Sequence, residues 1–585
     1  MRTSSLLLGG AASVAVATIN STLADLCTKT YAVSKLPVDA LQGITIDSSS
    51  VTAQAFYNQS VSGSVMYPDF SGFDYCNVTF AYSHNGLGDQ ILVTYWLPDP
   101  AKFENRYLQT GGGGLAINSG TSSVIGGVIY GAASGLTDGG FGSFDNMWDD
   151  VFPLANGSAN WPAIYNFGYL SLHENAVLGK AFTKYFYGTG NSTKLYNYYQ
   201  GCSEGGREGW SQVQRFADEV DGAVIGAPAF RYSFQQVQHL YSNVVEQTLD
   251  YYPPPCELMA IVNRTIEFCD PLDGLTDGVV SRTDLCKLTF NINSTIGTPY
   301  YCQASSAGRT SAGYTPAYPA QSGNVSAQGA AVAAKIIEGL KDSQGRQVYF
   351  SYQPAATFVD AQTEYDNSTD SWVLDQSGLG AEWVERYLML QNASLLPTLE
   401  GVTYDTLKGW MIQGLHMYSD SLQTTWPDLG PFHQAGGKVL HYHGESDNSI
   451  PTASSVRYHE SVRKVMYPGL SYNASNAALN KWYKLYLVPG AAHCDINPYQ
   501  PNGPWPQTNL QVMIDWVERG IEPTTLNATV LQGQYKGENR QICQWPLRPK
   551  WTSNARETAN PECVYDQSSI DTWHYDLDAI PIPVY

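Results

Sequence analysis

Basic side chains are scarce in this sequence. Lys and Arg together number 32 against 53 Asp and Glu, a net charge of −21 over 585 residues. No basic stripe breaks that balance, which excludes the electrostatic footprint of a nucleic-acid binder. The acid surplus speaks to solubility and not to fold. Long apolar runs are also missing. The run Leu6 to Ala17 behind Arg2 is too short to span a bilayer. It reads as a secretory leader, with small residues that allow cleavage after Ala17 or nearer Ala24. No membrane association is expected. Cysteines are few, ten in all, and an even count on an oxidising route implies five disulfides. Asn-x-Ser/Thr acceptors at Asn58, Asn77, Asn156, Asn191, Asn263, Asn293, Asn367, Asn392, Asn473 and Asn527 agree with an extracellular glycoprotein.

What is present is one organising stretch. A strand-like run, Leu195 to Tyr199, leads into Gly201-Cys202-Ser203-Glu204-Gly205, and a helix-like run, Gly206 to Phe216, leads out. Gly-x-Ser-x-Gly between strand and helix is the nucleophile elbow of α/β-hydrolases, a turn too tight for side chains at its glycine positions. Upstream, the strand Arg106 to Thr110 runs into four glycines, Gly111 to Gly114. In such a fold this loop supplies one oxyanion N–H, from among Gly112, Gly113 and Gly114, and the residue after the nucleophile, Glu204, supplies the other.

The rest of the chain fits that frame. Residues 25 to 100 hold alternating segments that read as antiparallel strands. The spacing from Ala163 to Tyr187 predicts a helix, with His173 inside it as a structural residue. Gly222 to Pro228 reads as a core strand. The strand–helix rhythm then stops, and resumes with strands at Gly437–Gly444 and Trp482–Val488 and helices at Ser454–Val465 and Asn509–Arg519. The expected class is therefore α/β, an α/β-hydrolase core with a large inserted lid. Residues 1–24 are the signal peptide, 25–228 and 432–585 the catalytic domain, and 229–431 the lid. Length alone, by contrast, suggests three or four ordinary domains.

A hydrolase triad runs Ser, then acid, then His along the chain. Asp447 follows a strand end, and His493 follows the last strand on a Gly/Ala loop. Asp420, Asp428 and Asp495 compete for the acid but lack that placement. In these roles His493 takes the Ser203 proton and returns it to the leaving alcohol, while Asp447 fixes the imidazole tautomer. Cys202 precedes the serine and Cys494 follows the histidine. If Ser203 and His493 touch, these neighbours fall within disulfide reach. The remaining cysteines divide into the local pairs Cys27/Cys76, Cys256/Cys302, Cys269/Cys286 and Cys543/Cys563.

Asp270, Asp273 and Asp277, interleaved with glycines, can fold round a hard cation, with the carbonyls of Leu275 and Val279 completing an oxygen shell. The alternative is an acidic, turn-rich loop. Any such calcium is structural, and no organic cofactor is expected.

The stretch Gly201 to Gly209, the cysteines flanking Ser203 and His493, and Cys269-Asp270-Pro271-Leu272-Asp273-Gly274 resemble the tannase and feruloyl esterase family. The match runs from about Cys27 to the C-terminus. Glu246 to Cys256, Leu440 to Asp447 and Pro489 to Cys494 are most similar to its secreted fungal tannase branch. The resemblance implies the triad and its flanking disulfide, the lid, and a structural calcium on Asp270, Asp273, Leu275, Asp277 and Val279. It also implies hydrolysis of galloyl esters to gallic acid. Feruloyl ester hydrolysis is the alternative, and a catalytically silent binding glycoprotein a more distant one. Some members carry a dibasic processing site in the lid's variable segment. Here Gln303 to Asn324 holds only Arg309, so maturation into two chains is not expected. The partner is a small-molecule or polyphenolic ester, and the sequence carries no indication of oligomeric state.

Overall fold

The computed structural model describes residues 21–145, 153–155, 158–190, 192–306, 308–310, 313–315, 317–552 and 560–585. The apolar leader and the acceptors Asn156 and Asn191 lie outside the described residues. Nine strands form one mixed sheet. The first three, β1 (Ile44–Val61), β2 (Phe70–His84) and β3 (Ile91–Pro98), are an antiparallel meander. Val78, Phe80 and Tyr82 of β2 and Ile91, Val93 and Tyr95 of β3 alternate along their strands. They therefore share one face, and pack on Leu178, Phe182 and Phe186 of helix α1 (Ser171–Tyr187).

Six strands continue the sheet in parallel: β4 (Arg106–Thr110), β5 (Ala132–Thr137), β6 (Tyr196–Cys202), β7 (Gly222–Gly226), β8 (Lys438–Gly444) and β9 (Tyr483–Val488). Their spatial order is β3-β5-β4-β6-β7-β8-β9, so one crossover places β4 inside β5. Every residue of β7 and β9 is buried, as expected for parallel strands covered on both faces. Trp210 and Val213 of α2 (Glu204–Arg215) and Tyr458 and Val462 of α3 (Ala453–Met466) lie in one core with Ala223, Ile225, Val439 and Tyr483. Leu510, Met513 and Ile514 of α4 (Asn509–Arg519) share another with the alternate strand residues Val224, Leu440, Tyr442 and Tyr486. Helices thus cover both faces.

Two local readings of the sequence need correction. The helix expected over 163–187 begins as Trp161–Tyr165 and passes through a π turn at Asn166–Leu170 before α1 starts. There the carbonyls of Phe167 and Gly168 accept hydrogen bonds from the Arg207 guanidinium, at 3.1 and 2.7 Å. Strand β5, Ala-Ala-Ser-Gly-Leu-Thr, carries no strand signal in the sequence. Its small residues answer a packing need: a Cβ on Gly135 would sit 2.0 Å from the Tyr107 hydroxyl.

Residues between β7 and β8 build helices at Pro255–Cys269, Ala327–Glu338 and Tyr404–Tyr418. Tyr232, Leu240, Ile336, Phe350, Trp383 and Met411 belong to their core, which is continuous with Leu485 and Leu487 of β9 and with Trp573 near the C-terminus. Five disulfides join Cys27 to Cys76, Cys202 to Cys494, Cys256 to Cys302, Cys269 to Cys286 and Cys543 to Cys563.

Candidate active site

Strand β6 ends at Cys202 and α2 begins at Glu204, leaving one residue for the turn. That residue, Ser203, has φ 65° and ψ −122°, a strained conformation for a side chain-bearing residue that costs about 1–3 kcal/mol. Close packing on every side holds it. A Cβ on Gly201 would meet the Gly205 carbonyl oxygen at 2.7 Å, one on Gly205 the Gly112 oxygen at 2.8 Å, and one on Gly206 the Gly226 oxygen at 2.5 Å. The Ser203 N–H donates to Gly226 O at 3.1 Å, and its carbonyl accepts from Arg207 and Ala229 at 3.0 and 3.1 Å.

The turn aims Ser203 Oγ at His493 Nε2, 2.8 Å away. His493 Nδ1 lies 2.9 Å from Asp447 Oδ2. Asp447, in the loop after β8, is fully buried. Its Oδ1 accepts the N–H groups of Ser449 and Ile450, both at 2.8 Å. Burial alone would raise this carboxyl. The charge of His493 and the hydrogen bonds from His443 and His493 outweigh burial and hold it well below the ordinary range. It is therefore ionised, as a group that orients an imidazole must be. Asp420, Asp428 and Asp495 do not bond His493. The disulfide joins the neighbours of serine and histidine across 292 residues, at a Cα separation of 6.0 Å. Cys494, the residue after the base, also has a positive φ, 55°.

The glycine loop is narrower in its contribution than its sequence suggests. Gly112 N–H donates to Glu208 Oε2 at 2.7 Å, and Gly113 N–H to the Ala116 carbonyl at 3.2 Å. Both are spent within the protein, which leaves Gly114 of the three candidates for the oxyanion N–H. The Gly114 N–H makes no hydrogen bond among the described residues. Gly112 O in turn accepts the Gly205 N–H at 2.9 Å, clamping the loop to the elbow helix. Burial, with the Glu204 carboxyl beside it, pushes Glu208 well above the usual carboxyl range. The Glu204 carboxylate forks onto the buried Arg207, with Nε at 2.8 and 2.9 Å from its two oxygens. No local pattern announces these roles for Arg207 and Glu208, because they depend on partners about 40 and 96 residues upstream. His173 bonds Glu219 at 2.8 Å and stacks on Phe216, a structural histidine.

The acidic loop is built differently. Asp270 accepts the N–H groups of Asp277, Gly278 and Val279 at 3.0, 2.9 and 3.3 Å. Asp273 accepts from the Leu275 N–H at 2.8 Å, and Asp277 pairs with Arg540 at 3.1 Å. Burial, reinforced by charge from neighbouring acids of the loop, raises Asp273 to about 7 and Asp277 to about 6. Among the described residues no group of three or more His, Cys, Asp or Glu side chains is arranged to hold a metal ion by itself. A cavity of about 510 Å³, lined by Phe73, Tyr130 and Arg519, shares no residue with the Ser203 site.

A serine on a strand-to-helix turn, hydrogen-bonded to a histidine that is bonded to a buried carboxylate, is the arrangement of a serine hydrolase built on an α/β sheet. The chain belongs to the tannase and feruloyl esterase family, whose model matches residues 76–564. It is 50% identical to the tannase of Aspergillus oryzae, over 98% of each chain. Its structure is similar to that of the tannin acyl hydrolase from Aspergillus niger, with TM-score 0.91 and 60% identity, covering 97% of this chain and all of that one. Feruloyl esterase B from Aspergillus oryzae is more distant, at TM-score 0.67 and 26% identity over 90% of this chain and 97% of that one.

Because the Cys202–Cys494 bridge fastens nucleophile to base, replacing both cysteines by alanine should lower kcat roughly 10- to 100-fold, the scale of a small misplacement of reacting groups. KM should change far less, and stability should fall by about 2–4 kcal/mol. Steady-state kinetics on the folded double variant check this. An unchanged kcat would show that the bridge does not set the geometry.

Proposed function

We propose that this chain is a secreted serine esterase that hydrolyses the galloyl esters of tannins and releases gallic acid. The observation that carries the reading is the Ser203–His493–Asp447 chain of hydrogen bonds at the strained elbow. The full-length similarity to a tannase and to a tannin acyl hydrolase supports the substrate class. Residues 25–228 and 432–585 act as an α/β-hydrolase core and 229–431 as a lid. In support, Tyr232 bonds Gly114 O at 3.3 Å and Gln235 bonds Ser449 O at 2.6 Å, so the lid touches both the glycine loop and the acid loop. No helix of the described residues is long and apolar enough to cross a membrane. Five disulfides support an extracellular setting. Thr22 caps a helix, Leu23–Leu26, whose two leucines are buried, which favours leader cleavage near Ala17 over Ala24.

Ser203 Oγ attacks the galloyl carbonyl carbon as its proton passes to His493 Nε2. Negative charge on the carbonyl oxygen meets the N–H groups of Glu204 and Gly114, each such donor contributing about 3–4 kcal/mol. The ester C–O bond breaks, and the departing alcohol takes the proton from His493. Water, deprotonated by the same nitrogen, then cleaves the galloyl-Ser203 ester. Asp447 stays ionised throughout and stabilises the imidazolium.

Calcium in the lid loop is part of the proposal. Asp270, Asp273 and Asp277 are buried within one loop, where Asp277 pairs with Arg540. These side chains alone are not arranged to hold a metal ion, so a bound cation would draw on the Leu275 and Val279 carbonyls as well, oxygen donors of the kind calcium takes. The ion would neutralise the loop and brace it, away from the chemistry.

Two experiments follow. Methyl gallate should be hydrolysed in preference to methyl ferulate, and Ser203→Ala should lose roughly 10⁴-fold or more in kcat. Preference for ferulate would move the chain to the feruloyl esterase side of its family, and equal turnover by wild type and Ser203→Ala would end the esterase reading. Removing calcium with EDTA should lower the thermal midpoint by several degrees, reversibly, and Asp273→Asn should abolish the response. A midpoint indifferent to calcium would leave the loop a metal-free turn.

A further inference from the structure

Asp447 carries more than a triad needs. Its Oδ2 faces two imidazoles, His493 Nδ1 at 2.9 Å and His443 Nε2 at 3.1 Å. His443 lies on β8, fully buried. Its Nε2 is also 3.0 Å from the Ile450 carbonyl. A carbonyl only accepts, so Nε2 must bear the hydrogen. Behind it runs a closed chain of neutral groups. Ser455 Oγ lies 2.6 Å from His443 Nδ1 and 2.8 Å from His441 Nε2, and His441 Nδ1 lies 2.9 Å from the Tyr483 hydroxyl. With neutral imidazoles the polarity follows from the Ile450 carbonyl. Tyr483 donates to His441, His441 to Ser455, Ser455 to His443, and His443 toward Asp447. Burial, with His443 and His459 nearby, holds His441 well below the ordinary histidine range.

We propose that His443 is a positioning residue of the triad: its Nε2–H, kept in one tautomer by Ile450 and by the Ser455–His441–Tyr483 chain, fixes the Asp447 carboxylate that orients His493. With His443 in place every contact of the buried carboxylate is a donor, two backbone N–H groups on Oδ1 and two imidazoles on Oδ2. The His443 bond draws charge from the oxygen that His493 uses. It thereby limits how strongly Asp447 favours the protonated imidazole, and keeps His493 a free base to lower pH. The inference rests on the acyl-transfer reading above.

The charged and titratable groups facing this cluster come from each element around it. His441 lies on β8, His459 on α3 and Tyr483 on β9. From the lid, Tyr352 stands beside Asp447 and bonds Asp360 at 2.9 Å, Asp360 pairs with His239 at 2.9 Å, and the buried Arg231 lies near Tyr483. None of these donates to Asp447 Oδ2 in place of His443.

The test compares His443→Leu, His443→Gln and Ser455→Ala with wild type on methyl gallate, measuring kcat, KM, thermal midpoint and the pH profile of kcat/KM. Wild-type turnover that Ser203→Ala abolishes establishes the underlying reading separately. The Leu variant should lose roughly 10- to 100-fold in kcat, the scale of a hydrogen bond to a charged group, with KM within about twofold. The acid limb of its kcat/KM profile should move to higher pH. Gln, whose amide N–H₂ reaches where Nε2–H was, should restore most of the loss. An acid limb that stays in place, or a Gln variant no better than Leu, would overturn the proposal. If the Leu variant does not fold, Ser455→Ala decides: the same upward shift supports the inference, and an unmoved limb refutes it.

Discussion

The structure depends on a strained turn being held shut from two sides. Ser203 occupies a backbone conformation that a serine avoids, and nothing in its own side chain relieves that. Relief comes from the surroundings. At Gly201, Gly205 and Gly206 backbone atoms come closer than any Cβ would tolerate, and a disulfide runs from the residue before the serine to the residue after the histidine. The strand order β4-β6-β7-β8-β9 brings the ends of five parallel strands to one edge of the sheet. There the glycine loop after β4, the elbow after β6, the acid loop after β8 and the base loop after β9 meet. The bridge turns that adjacency into a fixed distance between nucleophile and base.

Two buried acids are shifted in opposite directions. Asp447 and Glu208 are both fully buried, yet their environments drive them apart. Asp447 receives four donors and stays charged. Glu208 receives one backbone N–H and has the Glu204 carboxyl beside it, so its pKa is pushed up instead of down. A charged Asp447 is what an imidazolium needs beside it.

Much of this was legible in the sequence, and the rest was hidden for definite reasons. Gly-x-Ser-x-Gly, Asp447 and His493 could be read because each sits beside a strand whose apolar run is visible, in an order the fold dictates. The Cys202–Cys494 bridge followed from that order. Strand β5 could not be read, since Ala132 to Thr137 lacks branched and aromatic residues; it is small because Tyr107 occupies the space. The choice among Gly112, Gly113 and Gly114 turns on hydrogen bonds to Glu208 and Ala116, which no local pattern announces. His443 was in plain view in the stretch Leu440 to Asp447. It bonds Ser455 of α3, and only folding places that serine, and through His441 the Tyr483 of β9, behind it.

In the proposed reaction Ser203, fixed at the elbow, becomes acylated. The most direct measurement is mass spectrometry of the enzyme acid-quenched during turnover of a galloyl ester, followed by peptide mapping. A mass increase of one galloyl group on the peptide containing Ser203, absent from Ser203→Ala, is the predicted result. An adduct on another residue, or turnover by Ser203→Ala at the wild-type rate, would contradict it.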